Sequence, residues 1–412
     1  MLYTLAIYLY QLVVILISPF YKKARILYLG QREAFRILKR EVDKEARYVW
    51  FHAASLGEFE QGRPLMEHFR REHPEYKILL TFFSPSGYEV RKNYEGADII
   101  CYLPFDTPSN VYRFMHLIRP EMAFFIKYEF WYDYMWACHH YHIPVYSVSS
   151  IFRPNKIFFR WYGKVYAHVL SYVAHFFVQD EQSRELLARR GIVDNVSIVG
   201  DTRFDRVIDI ARQAKELPLV ERFCKDVPFV FVAGSSWPPD EDLIISYFNS
   251  HPDMKLVLAP HVIDDGHLRQ IEQKLRRSSL RYTEATEENV EKAQCLIINC
   301  YGLLSSIYRY AHVAYVGGGF GVGIHNVPEA AVYGIPVLIG PNNKNFREAQ
   351  DLLRMGGCFE ITGQTLFNAV VDRLVADPTL RKTRGAVCKD YIVSNAGASD
   401  VIMETLGLKK KK

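Results

Sequence analysis

Hydrophobic and polar positions alternate in blocks along this chain, and the blocks set its plan. Short apolar runs of four to eight residues recur at Tyr48–Ser55, Lys77–Ser84, Asp98–Phe105, Met122–Ile126, Val145–Ser150, Phe176–Gln179 and Val196–Val199. A second series comes at Phe229–Ala233, Lys255–Ala259, Cys295–Asn299, Val313–Val316 and Ile335–Ile339. Such runs, nearly continuous rather than alternating, predict strands buried on both faces. Between them lie segments of helical character, among them Gln61–Arg71, Tyr112–Arg119, Glu181–Arg190, Arg206–Lys215 and a stretch from Pro239. Three more close the chain, at Thr365–Ala376, Leu380–Ser394 and Ala398–Leu408. Strand–helix alternation predicts an α/β fold with mostly parallel sheets. The break between the two series, near Leu217–Pro228, predicts two domains, as does a length of 412 residues.

The amino terminus departs from this rhythm. From Met1 to Tyr21 there is no charged side chain, and Lys22, Lys23, Arg25 and Arg32 come directly after. About 20 apolar residues suffice to cross a bilayer, and the basic flank places the remainder of the chain on the cytoplasmic side. No basic start or small-residue cleavage site marks a signal peptide. The competing reading is a buried or surface-lying helix. In either case the expectation is a protein at the inner face of a membrane.

Composition narrows the function classes. The chain is 49% hydrophobic and 24% charged, with a net charge of only +5, which argues against a protein that coats nucleic acid. Seven cysteines form no CxxC pair and read as buried thiols. The histidines show no metal-ligand spacing. His139, His140 and His142 read as part of an aromatic loop, so no metal site is expected.

The densest chemistry lies at Val313–Ala349. A strand runs into Gly317, Gly318 and Gly319, which allow a sharp turn and close approach of an anion to backbone N–H groups. His325-Asn326-Val327-Pro328-Glu329 then starts a helix, with Pro328 suited to its first turn and Glu329 placed to accept ribose hydroxyls. After the next strand, Asn342 and Asn345 are placed to close over a ligand. In open parallel sheets, ligands sit at the carboxyl ends of strands. The alternative is an ordinary βαβ unit whose glycines only make turns.

These runs, Gly317-Gly318-Gly319-Phe320-Gly321, His325-Asn326-Val327-Pro328-Glu329-Ala330-Ala331 and Gly334 through Ala349, resemble the nucleotide-binding end of the 3-deoxy-D-manno-octulosonic acid (Kdo) transferases. Those are inverting glycosyltransferases of the GT-B fold that use CMP-Kdo. The resemblance extends over nearly the whole chain. Ala54-Ser55-Leu56-Gly57-Glu58 matches the family's Ala-Ser-x-Gly-Glu run, whose Glu is the catalytic base, so the resemblance gives Glu58 that role, with Glu60 the local competitor. Lys127-Tyr128-Glu129-Phe130-Trp131 is similar to a Glu-x-Glu-x-Trp run. It keeps the second Glu, which implies that Glu129 stabilises the transition state or holds the acceptor, but has Lys127 in place of the first. Gly200-Asp201-Thr202-Arg203-Phe204-Asp205 puts Arg203 where the family has a Lys that balances charge on the leaving group. Gly234 and Ser235 stand in a phosphate-binding turn. Ala259-Pro260-His261 corresponds to a Pro-Arg-His run and lacks its Arg, so Pro260 and His261 are carried over as nucleotide contacts with one member missing.

The resemblance implies two Rossmann-like parallel-sheet domains facing a cleft, with an N-terminal membrane-anchor helix. The expected divisions are an anchor at 1–21, an acceptor-binding domain at 22–215, a CMP-Kdo-binding domain at 216–393, and a crossover helix with basic tail at 394–412. It implies Kdo transfer from CMP-Kdo to the tetra-acylated lipid A precursor in lipopolysaccharide synthesis, without metal or other cofactor. The place implied is the cytoplasmic face of the bacterial inner membrane. Mixed aromatic and basic residues at Phe152–Tyr162 suit such an acceptor, or else pack inward as an ordinary amphipathic helix. Other readings are a UDP-sugar transferase or an epimerase on the same scaffold, and a membrane-tethered binding protein without catalysis.

Overall fold

The computed structural model describes residues 2–321 and 323–409. Met1, Val322 of the glycine-rich loop, and Lys410–Lys412 of the basic tail lie outside the described residues. The chain forms two compact units, Met1–Arg206 with Ala396–Lys412, and Val207–Asn395. The division falls inside the helix Arg203–Arg212.

The first unit is built on seven parallel strands: β1 (Arg47–Ala53), β2 (Tyr76–Phe82), β3 (Ile99–Tyr102), β4 (Met122–Ile126), β5 (Val145–Ser150), β6 (His175–Val178) and β7 (Val196–Ile198). Their order is β3-β2-β1-β4-β5-β6-β7. The central strands are buried on both faces, which is why they read as continuous apolar runs. Trp50 on β1 anchors one face, its indole N–H satisfied by Thr81 on β2 at 2.8 Å. Phe51 and Phe124, on neighbouring strands, stack on the other face at 4.7 Å. The helix Ala398–Thr405 completes this second face with Ile402 and Met403. Its start is fixed by Asp205, whose carboxylate accepts from the N–H groups of Gly397 and Ser399 at 2.5 and 2.7 Å.

The amino-terminal stretch expected to form one anchor helix is divided between two helices, which have the length and composition of a span only as a bent pair. The helix Leu2–Ile17 has 16 residues, about 24 Å at 1.5 Å per residue against a hydrocarbon core of about 30 Å. The chain turns at Ser18–Phe20 and continues as the helix Lys22–Glu41 at 118° to the first. Among the described residues no single helix is long and apolar enough to cross a membrane. The first helix instead lies along its own unit: Ile7 and Val14 are buried in the core, and Tyr10 packs edge-on against Phe105 at 5.7 Å. Tyr3 donates to the buried carboxylate of Asp106 at 2.5 Å. Lys22–Glu41, which the charge pattern disguises as a mere basic flank, is amphipathic. It buries Ala24, Leu27, Gln31, Ala34 and Leu38 at helical spacing.

The second unit has its own seven-stranded parallel sheet: β8 (Phe229–Ser236), β9 (Met254–Pro260), β10 (Ser279–Arg281), β11 (Cys295–Ile297), β12 (Val313–Val316), β13 (Val337–Ile339) and β14 (Cys358–Glu360), in the order β10-β11-β9-β8-β12-β13-β14. The edge strands β10 and β14 are three residues each, too short to show in the apolar pattern. Both sheets reverse their strand order at one point, between β1 and β4 in the first and between β8 and β12 in the second. The crevice at the carboxyl end of such a pair is where this architecture binds ligands.

Candidate active site

In the first unit the reversal point carries the carboxylates. β1 ends at Ala53, and Ser55 caps the helix Leu56–Glu72, so Glu58 stands inside its first turn rather than ahead of it as the sequence had implied. A Ser-x-x-Glu start ordinarily forms a capping box, each side chain bonded to the other's backbone N–H. Here the Ser55 side chain makes no cap bond to the backbone and its hydroxyl donates directly to Glu58 Oε2. The other oxygen, Oε1, faces Lys127 Nζ at 3.5 Å. The carboxylate is thus held by side chains at the open end of the sheet. Glu60, its competitor, is committed to Arg91 at 2.7 Å.

Glu129 lies just past β4, on the neighbouring strand end. Burial pushes its carboxyl above the usual range, the Glu58 charge adds to the rise, and Lys156 and Lys127 oppose it. Two carboxyl groups at one strand-order reversal, one of them raised by burial, can serve in proton transfer or in holding a hydroxyl. Arg203 opens the helix Arg203–Arg212, and its guanidinium and N–H both bond Asp201 at 2.9 Å. Asp201 also accepts from Gln61 at 3.1 Å, one turn beyond Glu58 on the same helix. The structure therefore brings Glu58 and Glu129 together with Lys127 beside them, while Arg203 is tied to the same helix through Asp201 and Gln61. The departure of Lys127-Tyr128-Glu129 from two acids to a base and an acid was the sequence signal for Lys127.

In the second unit the predicted residues line the carboxyl ends of β8, β9, β12 and β13. Ser235 takes a left-handed backbone, φ +52°, where β8 ends. His261, just past Pro260 at the end of β9, donates its N–H to the Ser236 carbonyl at 2.9 Å. Its ring stacks against both Trp237, at 4.8 Å, and His325, at 4.5 Å, and the Trp237 indole donates to His325 Nε2 at 3.1 Å. Trp237 and His325 are contributors that the sequence reading left out, although both stand in its motifs, after the Gly-Ser-Ser turn and before Asn326. Asn326 donates to Glu329 at 2.8 Å. Asn342 reaches back to the Gly321 carbonyl at 2.7 Å, and Asn345 is exposed on the same loop.

The glycines need a correction. The Gly317 N–H donates to the Gly234 carbonyl and the Gly318 N–H to the buried Asp240 carboxylate, both at 2.9 Å, so neither amide is presented to an anion. Their role is close packing: a Cβ on Gly317 would lie 2.7 Å from Ser236 Cα, and one on Gly319 2.6 Å from Gly340 Cα. The helix Val327–Ala331 is a single turn and supplies little dipole. The polar side chains along these strand ends can bond a nucleotide. Among the described residues no three His, Cys, Asp or Glu side chains converge as metal ligands.

Comparisons with known proteins bear on both units. The model of the family described as Glycos_transf_N, 3-Deoxy-D-manno-octulosonic-acid transferase (kdotransferase), matches residues 29–206. A 3-deoxy-D-manno-octulosonic acid transferase of Aquifex aeolicus is 28% identical over 345 residues, covering 80% of this chain and 88% of the relative. That of Haemophilus influenzae is 25% identical over 377 residues, covering 87% and 86%. Among solved structures, the UDP-GlcNAc 2-epimerase of Neisseria meningitidis bound to UDP-GlcNAc superposes with a TM-score of 0.61 at 15% identity, covering 88% of this chain and 100% of that one. At that identity the likeness speaks for the two-sheet fold alone.

Proposed function

On the match of residues 29–206 to the Kdo transferase model and the likeness to curated Kdo transferases over most of the chain, we propose that the protein is a Kdo glycosyltransferase that moves Kdo from CMP-Kdo to the acylated disaccharide precursor of lipid A. Glu58 takes the proton from an acceptor hydroxyl, the oxygen attacks the anomeric carbon of Kdo with inversion, and the bond from that carbon to the CMP phosphate breaks. Arg203 balances the charge that develops on the departing phosphate. Glu129, half-buried beside Glu58 with its carboxyl raised by burial, holds the acceptor by hydrogen bonding. The nucleotide is held by Ser235, His261, Asn326, Glu329 and Asn342, with Trp237 and His325 beside them. No metal or cofactor has a part in this scheme. The observation that carries the reading is the Glu58 carboxylate, freed from its capping box and held by side chains where the first sheet reverses its order.

The acceptor is amphipathic, and the first unit offers a surface for the membrane that contains it. Leu5, Leu9, Leu12 and Leu16 form an exposed stripe on the helix Leu2–Ile17. On the adjoining helix, Lys22, Lys23, Arg25, Arg32, Arg36, Lys39 and Arg40 outnumber Glu33 and Glu41. An apolar stripe beside a basic band suits insertion in the plane of an anionic bilayer. The protein would work from there, on the cytoplasmic face.

The test is Kdo transfer by the detergent-purified full chain, with CMP-Kdo and tetra-acylated lipid A precursor, read as glycolipid mass. Addition of one or more Kdo units by the wild type, reduced about a thousandfold in Glu58→Ala, supports the scheme. Equal rates remove Glu58 from its role, and binding of UDP-sugars in place of CMP-Kdo changes the donor.

A further inference from the structure

Lys127 has a backbone conformation that residues with a side chain rarely adopt, φ +62°, and such positions persist only where the surroundings fix them. Three hydrogen bonds do so. Its N–H donates to the Val148 carbonyl at 2.8 Å, and its carbonyl accepts from the hydroxyls of Ser147, at 2.9 Å, and Ser150. Both serines are fully buried on β5. The chain leaving β4 is thereby turned so that the Lys127 side chain reaches the end of β1, with Nζ 3.5 Å from Glu58 Oε1. The two side chains are 27% and 16% exposed, so little water screens the pair.

The other charged and titratable groups around Glu58 do not do this work. Glu129, from the same strand end as Lys127, is a like charge. Lys156, from the segment after β5, donates to the Tyr128 hydroxyl at 3.0 Å. On the helix of Glu58 itself, Glu60 is taken by Arg91 and Gln61 by Asp201. His52 on β1 is buried and neutral.

We propose that Lys127 is a positioning residue for the transfer reaction, whose ammonium fixes the orientation of the Glu58 carboxylate toward the acceptor. This rests on the reading of Glu58 as the base. In the step itself the proton passes from the acceptor hydroxyl to Glu58, and Lys127 neither gains nor loses one.

Separate kcat and KM values for the wild type, Lys127→Met and Lys127→Arg decide the matter, with a melting curve for each. A base that has lost its orientation reacts slowly although substrate still binds, so Lys127→Met should lower kcat about tenfold or more with KM and melting temperature nearly unchanged. Lys127→Arg, which keeps a cationic donor, should restore most of the rate. A loss that Lys127→Arg leaves unrepaired, or one that follows a lower melting temperature, overturns the inference and leaves Lys127 a structural role. The carboxylate stretch of Glu58, identified by infrared difference spectroscopy against Glu58→Gln, should shift in Lys127→Met without turnover. The same band in wild type and Lys127→Met overturns the inference. If the wild type transfers no Kdo, the functional reading fails separately, and the infrared band still decides whether Lys127 holds Glu58.

Discussion

Trp237 donates its indole N–H to Nε2 of His325 at 3.1 Å, and that bond determines which imidazole nitrogen carries the proton. An indole can only donate, so Nε2 accepts and the proton sits on Nδ1. Burial, and then the neighbouring His261, hold His325 below the usual histidine range, so the ring is a neutral donor near pH 7. Trp237→Phe keeps the stack on His261 but removes the indole donor. Loss of one such bond is worth about 1 kcal/mol, and CMP affinity by titration calorimetry should fall about fivefold. An unchanged affinity would reduce the three rings to packing.

Gly319 separates a structural from a phosphate-binding account of the glycine loop. An added methyl would press on the Gly340 backbone at 2.6 Å, where no side chain can move aside. Gly319→Ala should therefore destabilise the protein by about 1–3 kcal/mol, visible as an earlier thermal transition, with CMP binding lost alongside. Gly363→Ala is the control, because its φ of 172° is extended and nothing lies within 4 Å of the added carbon. If Gly319→Ala loses CMP binding with its melting curve intact, the loop is a phosphate cradle after all.

Two buried groups in the first unit pull stability in opposite directions with pH. Burial lowers His52 to about 3, from an ordinary 6.5. Its contribution is complete above pH 6.5 and is lost as pH falls toward 3. Burial raises Asp106 to about 7, from 3.8. Its contribution is complete below pH 3.8 and is lost as pH rises toward 7. Between about pH 4 and 6.5 the two slopes oppose each other and nearly cancel. Asp106→Asn should expose the His52 slope, so that urea midpoints fall on acidification from pH 6.5 to 4. His52→Gln should do the reverse, with midpoints falling as pH rises over the same range. Parallel profiles in the two variants would contradict both assignments.

The fold was legible because parallel strands buried on both faces leave unbroken apolar runs, and because polar helix starts such as Ala54–Glu58 and His325–Glu329 sit at their carboxyl ends. What stayed hidden has physical causes. The edge strands β10 and β14 are too short to carry a pattern. The helix Lys22–Glu41 buries Gln31, which donates to the Leu103 carbonyl at 2.7 Å and accepts from the Phe105 N–H at 2.8 Å. A polar residue on the buried face weakens the apolar periodicity that would have announced the helix. Hydrogen-bond partners are set by tertiary packing, so sequence spacing did not show that Asp240 takes the Gly318 amide, or that Ser55 and Glu58 bond each other instead of capping their helix. Lys127 was visible only as an oddity until its backbone placed it opposite Glu58.

The first helix gives the last prediction. Tyr3, Ile7, Tyr10 and Val14 face its own unit, while Leu5, Leu9, Leu12 and Leu16 face outward on the opposite stripe. Both sets have the same spacing of four, three and four, so one face of the helix serves the core and the opposite face leaves its leucines exposed. Glutamates at Leu9 and Leu12 should leave the melting temperature almost unchanged, because both leucines are exposed. Each leucine withdrawn from lipid costs about 1.5–3 kcal/mol, so co-sedimentation with anionic vesicles should fall by a factor of a hundred or more. Raising the salt should weaken wild-type binding without abolishing it, since screening acts on the basic band and not on the apolar stripe. Ile7→Glu, by contrast, should lower the melting temperature, because it places a charge against the core. A helix lying in the membrane plane should also be released by alkaline carbonate, whereas a spanning helix would stay with the pellet. Retention in carbonate, or full vesicle binding by the double glutamate variant, would return the amino terminus to a spanning anchor.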